Sequence, residues 1–264
     1  MWGDVSPAER LRAITRRGLA DDDLAVEAAE ALGAFATQPA HLVVACRRVL
    51  AHHRAHGVLW WLSARILAAP EPAAAASEAA RLLQQDHTAS RIAATLPLLD
   101  DDEVVAVVGW PVAADDAFAQ RQDVAVVAVR SRGADPAPGL RRRRTERAVR
   151  VVDAWTPIAA RVRVLLVPAA GIGPERALVT AGTATVLDGI GRTAGATWLI
   201  GGVGRVLPAR VYDAMVAAAA GDDVEEIDLQ LVDRIAGPRG VEPAPDAARR
   251  SDCPTAPELL RPLD

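Results

Sequence analysis

A glycine-rich stretch is the first part of the sequence that could do chemistry. Residues 179–198 read VTAGTATVLDGIGRTAGATW and contain GIGRTAG, whose composition is typical of loops that bind nucleotide phosphates. A dinucleotide fingerprint needs its glycines directly after the first strand, with an acidic residue about 20 residues further on. GIGRTAG has a different spacing and follows the fourth predicted strand. We therefore interpret the stretch as a strand end, a turn and a helix start that could still hold a phosphate.

Three aspartates could exchange protons with a substrate. Asp115 and Asp116 follow the first predicted strand, and Asp188 lies inside the glycine-rich stretch. Each also has an ordinary structural explanation, because aspartate caps helix N-termini and Asp-Gly is a common turn pair. All three remain candidate catalytic residues, with helix capping as the default for the first pair.

The histidines give only a weak metal signal. His52 and His56 have the i, i+4 spacing of a helical zinc site, but no glutamate accompanies them in a metalloprotease pattern. His41 and His53 lie nearby, and no third ligand is evident. We predict a polar helix end and no metal site.

Arginine is the only long cationic side chain in the protein. The sequence contains no lysine, which excludes a Schiff-base lysine, a P-loop lysine and a pyridoxal-phosphate lysine, so we expect no cofactor. A phosphate would have to bind arginine or helix amides. The run 141–144 is four arginines long, but no aromatic residue interleaves with it and the net charge is −4, so nucleic-acid binding is not expected.

The first third of the chain has helical periodicity. The runs 58–67 and 74–96 are spaced as helices, and Pro70 and Pro72 separate them. Trp60 and Trp61 are adjacent and cannot point the same way, so we expect one in the core and the other at a cleft or interface. Two earlier helical faces are predicted, one from Leu24, Ala28, Leu32 and Phe35 and one from Val43, Val44, Val49 and Leu50.

From Glu103 onward the pattern changes to short β-branched runs, which predict a parallel sheet in a doubly wound α/β domain. Ligands bind at the carboxyl ends of such strands, so the residues that follow each strand are the ones to inspect. We place a helical domain at 1–98 and a Rossmann-like domain at 99–264. The predicted strands are 103–109, 123–130, 161–168 and 175–182, the predicted helices 140–155 and 192–201, and the predicted irregular strap 236–264.

Composition favours a folded intracellular protein. About half of the 264 residues are apolar, which is enough to bury a sizeable core. Cys46 and Cys253 are far apart, as expected in a reducing compartment. The N-terminal residues resemble neither a signal peptide nor a membrane span, so we expect a cytoplasmic protein without membrane contact.

Several segments, taken in order, are similar to motifs of one protein family. Residues 14–18 (ITRRG) lead into an Ala-rich helix, and 54–62 (RAHGVLWWL) resemble an Arg-Pro-Thr-Ala-Val segment. Arg132 and Gly139 match an Arg-Pro-x-x-x-x-Gly loop. The remaining matches are 162–182 with a segment ending in Gly-Ala-Asp, 192–200 (RTAGATWLI) with an Asn-Lys-x-Gly-Thr helix start, and 252–260 with Asp-x-Thr-Pro-Pro-Glu-x-Ile.

On these motifs the chain resembles the family of translation initiation factor 2B regulatory subunits, methylthioribose-1-phosphate isomerases and ribose-1,5-bisphosphate isomerases. The resemblance implies a helical domain, a Rossmann-like domain, and a homodimer or larger assembly joined through the latter. It also implies a phosphosugar or nucleotide pocket between the domains. The implied ligand-binding residues are Arg17, Gly18, Arg54, Trp110, Gly182, Arg192 and Thr193.

The chain departs from this family where its isomerases do their chemistry. Those enzymes use a cysteine in a Thr-His-Cys-Asn loop and the aspartate of Gly-Ala-Asp as an acid/base pair. Trp110 and Gly182 stand at the matching positions here, and Arg192-Thr193 replaces Asn-Lys. Tryptophan and glycine cannot exchange protons, so this mechanism is not available at those positions.

Three functions follow as hypotheses. The leading one is a catalytically divergent, regulatory protein that binds a phosphorylated sugar or nucleotide. The second is an active aldose–ketose isomerase of a phosphopentose, with Asp188 and Asp115 or Asp116 as relocated acid and base. The third is a structural subunit that pairs with a paralogue. Filling of the pocket by Trp110 would favour the third.

Overall fold

The described part of the N-terminal third, from residue 21 onward, is helical, as predicted. The structure, a computed structural model, describes residues 21–142, 149–153, 161–191 and 193–263. Prolines at the starts of the second and fourth helices fit the first turn, where a missing N–H costs nothing. The helices are α1 (Asp21–Gly33), α2 (Pro39–His52), α3 (Gly57–Ala68), α4 (Pro72–Gln84) and α5 (Thr88–Thr95).

Helix α3 is buried on all sides, which corrects the expectation for its two tryptophans. Trp60 and Trp61 are both 0 % exposed. Helices α1, α2 and α4 surround α3, together with a later helix that begins at Ala209. A helix that is apolar around its whole circumference is stable only when it is enclosed in this way.

Two residues of the predicted apolar faces lie elsewhere. Phe35 follows the end of α1 at Gly33, so it belongs to a turn and not to the helix. Val44 is 63 % exposed, whereas Val49 and Leu50 on the same helix are buried. The predicted face of α2 is therefore shifted, with Leu42 and Cys46 as its inner members.

Nine strands lie in one mixed sheet within the described residues. The helices of this part of the chain are α6 (Val112–Gln120), α7 (Ala137–Arg142), α8 (Thr183–Val186, continued by a π-turn over Leu187–Gly191), α9 (Ala209–Ala218) and α10 (Ala244–Ala248). The strands are β1 (Val104–Val108), β2 (Val126–Arg130), β3 (Arg150–Asp153), β4 (Val162–Ile172), β5 (Arg176–Thr180), β6 (Thr197–Ile200), β7 (Val224–Asp228), β8 (Arg234–Gly237) and β9 (Gly240–Pro243).

The strand order is that of a doubly wound sheet, as predicted. It reads β3-β2-β1-β4-β6-β8-β9, and every neighbouring pair from β3 to β8 is parallel. Winding reverses between β1 and β4, which is the switch point at which such sheets bind ligands. Strand β9 closes one edge as an antiparallel hairpin partner of β8.

Strand β4 is long enough to belong to two ladders. Its first part pairs with β1 and β6, and its last part pairs with β5 in an antiparallel hairpin. Strand β7 then adds to β5, also antiparallel. The strand predicted at 175–182 therefore exists, but it does not join the parallel ladder as expected. Residues 168–171, expected to follow a strand, lie inside β4.

Three other sequence predictions are corrected. Residues 197–200, expected in a helix, form the buried strand β6, and residues 150–153 form β3. Both runs are only four residues long, and such short runs do not distinguish a strand from a helix. The tail is irregular only from Arg249 onward, because residues 234–248 form β8, β9 and α10.

The described residues group into two compact units that are not continuous in sequence. The helical unit contains 21–86, Val203–Ala220 and 251–263, and the sheet unit contains the described part of 87–202 together with Gly221–Arg250. One face of the sheet packs against α5 and α6, where Val105, Val107 and Leu166 meet Ile92 and Phe118. Across the ranges that the structure describes, none of the helices is long and apolar enough to span a membrane.

Candidate functional site

The carboxyl edge of the sheet at the switch point is the place to look for a ligand site. Gly109 and Trp110 follow β1, and residues 131–134 make a tight turn after β2. The β4–β5 hairpin brings Ala181 back to the same edge, where its carbonyl accepts a 2.7 Å hydrogen bond from the Gly133 amide. Three of the inspected strand ends therefore lie together, as the parallel topology requires.

Trp110 is part of the core at this edge. Its side chain is 8 % exposed, and its ring packs on Phe118 with the centroids 5.6 Å apart. The indole Nε1 donates a 3.1 Å hydrogen bond to Oδ1 of buried Asp115. A buried ring with its polar atom bonded is held in one orientation. Trp110 therefore fills the edge of the sheet unit.

Gly139 of α7 lies directly against Trp110. A β-carbon at Gly139 would be 2.7 Å from Cβ of Trp110 and 3.1 Å from its Cδ1, so only glycine fits there. The sequence match of Gly139 with the glycine of a ligand loop thus has a packing explanation in this protein. Because Gly139 has no side chain, α7 can pack directly against Trp110.

Gly182 is closed off by the turn after β2. Its φ is +88°, in the left-handed region that favours glycine, and an added β-carbon would lie 2.8 Å from the backbone nitrogen of Arg132. Gly133 is equally tight, because its own β-carbon would lie 2.8 Å from the amide nitrogen of Ala181. The turn at Ser131 and Arg132 fills the space where a side chain of residue 182 would have to go.

The helix start in the glycine-rich stretch lies earlier than predicted. Helix α8 begins at Thr183, directly after Gly182, whereas Thr193 is an exposed turn residue before β6. Gly182 and Thr183 therefore begin a helix, whereas residues 193–196, expected to begin one, form a turn before β6.

The amide of the second residue of this short helix is already bonded within the protein. The Ala184 amide donates a 2.7 Å hydrogen bond to Oε1 of Glu225, and the Thr183 hydroxyl donates to the Thr180 carbonyl at 2.6 Å. Glu225 was not identified from the sequence, since it lies 41 residues away on β7 and nothing local indicates the contact. The Glu225 carboxylate thus occupies the position in which an anion could otherwise accept a hydrogen bond from the Ala184 amide.

The remaining candidate residues are dispersed or outside the described ranges. Asp116 is half-buried on α6, Asp188 is exposed in the π-turn, and Arg54 is exposed, with Nε donating to the Ala51 carbonyl at 3.1 Å. Arg17, Gly18 and Arg192 lie outside the residues that the structure describes, as do Arg143 and Arg144 of the arginine run 141–144.

Two arginines bring positive charge to the carboxyl edge. Arg130 ends β2 and Arg132 lies in the turn that follows, and both side chains are exposed. Arg130 lies 3.5 Å from Asp153 and 3.9 Å from Asp135, which are long distances for ion pairs between exposed groups. These guanidinium groups are the surface features of the edge best suited to an anion.

The histidines and cysteines form no reactive centre in the described part of the chain. No group of three histidine, cysteine or acidic side chains there could hold a metal ion. His52 bonds the Arg48 carbonyl through Nδ1 at 2.9 Å. Burial raises the pKa of the Cys46 and Cys253 thiols to about 12, so neither supplies a thiolate at neutral pH.

The fold is similar to that of the beta and delta subunits of eIF2B. The protein superposes on eIF2B beta from Chaetomium thermophilum with a TM-score of 0.70, at 12 % identity over 97 % of this chain and 94 % of that one. For a tetrameric eIF2B beta2-delta2 complex from C. thermophilum the TM-score is 0.69, at 15 % identity over 92 % and 93 %. For the eIF-2B delta subunit of A. fulgidus it is 0.54, at 14 % identity over 97 % and 91 %.

No protein-family model and no curated protein matches the sequence. The match is therefore one of fold, and it confirms the resemblance identified from the motifs at that level. It covers both units, since more than nine-tenths of the chain superposes on each of these three structures. Fold alone does not determine function, so the function has to be argued from the carboxyl edge.

Proposed function

We propose that this protein is a non-catalytic, eIF2B-like assembly subunit. The observation that carries the proposal is the filled carboxyl edge, where Trp110 is buried against Phe118 and bonded to Asp115. The turn at Arg132 closes the edge beside Gly182. An isomerase needs an acid and a base beside an open space for its substrate. The buried Asp115 carboxylate accepts its hydrogen bond from Trp110, so Asp115 is poorly placed to act as a relocated acid on a substrate.

Assembly is the role that the filled carboxyl edge favours. The similar structures are titled as beta and delta subunits of eIF2B, and one is a tetramer of the two. By analogy, this chain would pair with a second eIF2B-like chain, either its own copy or a paralogue. The analogy rests on fold, so the experiment has to measure assembly directly.

Light scattering coupled to size-exclusion chromatography tests self-assembly of the purified chain. At micromolar concentration we expect a dimer or larger species, with no turnover of ribose phosphates in a coupled isomerase assay. A monomer across the concentration range would contradict self-pairing. Measurable isomerase turnover in the wild type that is lost in Asp188→Asn or Asp115→Asn would contradict the non-catalytic role.

Binding of a phosphorylated small molecule is a second candidate function. The exposed guanidinium groups of Arg130 and Arg132 favour it, because arginine grips phosphate with two parallel hydrogen bonds. The ligand would lie at the surface of the edge and not in the space that Trp110 fills. A regulatory role would follow if such binding changed assembly.

Calorimetric titration with ribose 5-phosphate and with adenosine monophosphate distinguishes the two functions. The matched control is Arg163→Gln, because Arg163 is an exposed arginine near the start of β4, at the opposite end of the strands from the carboxyl edge. Binding that is lost in Arg132→Gln and kept in Arg163→Gln would support the ligand. If folded protein gives no heat of binding at millimolar ligand, assembly remains as the proposed function and ligand binding does not. Inorganic phosphate serves as a probe for adventitious anion binding.

A further inference from the structure

The C-terminal strap, residues 251–263, is the feature of the helical unit that the proposed function does not use. It is irregular apart from a short turn over Pro257–Leu259, and it joins no strand of the sheet. Three of its residues, Cys253, Ala256 and Leu259, are nevertheless buried. A segment without a backbone ladder must be attached by side chains, and those side chains are identifiable.

One attachment joins the strap to α3. The Asp252 carboxylate accepts a 3.1 Å hydrogen bond from Nε1 of Trp61 through Oδ1 and a 3.2 Å bond from Nη1 of Arg65 through Oδ2. The Arg65 guanidinium also lies over the Trp61 ring, 5.0 Å from its centroid. One carboxylate therefore satisfies a buried indole and a stacked cation together.

A second attachment joins the strap to α2. Nη1 of Arg47 donates to the Glu258 carbonyl at 3.0 Å and to the Arg261 carbonyl at 3.4 Å, and Nη2 donates to the Pro262 carbonyl. A single planar guanidinium thus bonds three carbonyls of the turn. The neighbouring Arg48 is exposed and makes no such bond through its side chain in the described contacts.

A third attachment joins the strap to the segment before α9. The Ser251 hydroxyl donates a 2.7 Å hydrogen bond to the Val206 carbonyl and accepts one from the Cys253 amide at 3.2 Å. The strap thus bonds three parts of the helical unit that are distant in sequence, namely α2, α3 and the residues before α9. Cys253 lies beneath these contacts.

We infer that the strap is a clasp, held by Arg47 and Asp252, which opens and closes over the helical unit independently of global unfolding. Few buried apolar side chains and no ladder make such a segment the first to detach in local opening. Opening exposes Cys253, which is 8 % exposed when the clasp is closed, but leaves Cys46, inside α2, covered. Reaction of the free Cys253 thiol therefore reports opening of the strap, and reaction of the free Cys46 thiol reports global unfolding.

Thiol labelling of the full chain under native conditions tests the clasp. The probe is N-ethylmaleimide, and mass spectrometry of peptides separates the two cysteines. In the wild type we expect Cys253 to react faster than Cys46. Arg47→Gln and Asp252→Ala should each accelerate Cys253 by about tenfold or more, the effect of losing a hydrogen bond to a charged group, without accelerating Cys46.

Arg48→Gln is the matched control and should leave both rates unchanged. Equal acceleration of Cys46 and Cys253 in the clasp variants would mean that the strap opens only when the unit unfolds, which would overturn the inference. So would an effect of Arg48→Gln equal to that of Arg47→Gln. If Asp252→Ala does not fold, Asp252→Asn keeps an acceptor for Trp61, removes the charge that faces Arg65, and should give a smaller acceleration of Cys253 alone.

Discussion

The backbone nitrogen of Arg132 lies 2.8 Å from the position that a β-carbon of Gly182 would take. The contact joins two loops that follow β2 and β5, and it closes the sheet edge at which proteins of this topology hold ligands. Real β-carbons do not approach backbone so closely, so the two loops can pack in this way only because residue 182 is glycine.

Gly182→Ala is therefore expected to destabilise the protein. The φ of +88° costs an alanine about 1–2 kcal/mol, and the clash with Arg132 adds roughly 1–3 kcal/mol of overpacking. Gly221→Ala is the matched control, because Gly221 has a φ of +92° and open space around it. Urea unfolding measures both. Equal losses of stability would show that the contact with Arg132 has no energetic weight.

The two buried indoles of the sheet unit allow a paired test of the Trp110–Asp115 bond. Trp110 donates to Asp115, whereas Nε1 of Trp198, also buried, has no hydrogen-bond partner in the described residues. Trp110→Phe should cost about 1–3 kcal/mol more than Trp198→Phe, because only the first removes a bond to a charged group. Thermal or urea unfolding of the two variants gives the comparison. A larger loss in Trp198→Phe would contradict it.

Alkaline pH should destabilise the protein through its thiols. Burial raises the pKa of Cys46 and Cys253 from 9.0 to about 12, so the folded state keeps protons that the unfolded state loses above pH 9. This stabilising contribution is complete below pH 9 and disappears as the pH rises toward 12. Between pH 9 and 10 the loss is about 1 kcal/mol per thiol.

The sequence makes this titration easy to isolate, because it contains no lysine and only one tyrosine. Unfolding in urea at pH 8, 9 and 10 supplies the measurement. The variants Cys46→Ala and Cys253→Ala should each flatten the pH dependence, whatever they do to stability at pH 8. Unchanged slopes in both variants would mean that the thiols do not carry the effect.

Arg121 should be important for the stability of the sheet unit. Its guanidinium donates to the carbonyls of Ala93, Leu96 and Pro97 at 2.8–3.2 Å, where α5 ends, and it pairs with Asp123. Arg121→Met keeps the length of the side chain but removes the donors, which should cost about 2 kcal/mol or more. Arg91→Met, on the exposed face of α5, is the control and should be nearly neutral. Arg121→Lys should lie between them, since an ammonium cannot bond all three carbonyls in one plane.

Periodicity predicted the elements whose pattern is long or strongly apolar. The helices α1 to α3 and the strands β1, β2 and β4 lie where the sequence indicated, because burial of one face or of both faces leaves a regular trace in residue order. The run 74–96, predicted as one helix, is divided into α4 and α5. The short apolar run at 197–200 was misassigned as helix. Four buried residues carry no period, and only pairing with Leu165–Pro168 on β4 makes them a strand.

At the candidate site, the sequence by itself determined which groups are absent. It contains no lysine, no cysteine between β1 and β2, and glycine in place of an acidic residue at position 182, and no folding can supply those groups. Only the tertiary structure decided what takes their place. Trp110 could have faced a ligand or the core, and its partners are Gly139, Asp115 and Phe118. Side-chain orientation and close backbone approach depend on packing between distant segments, and residue order does not record that packing.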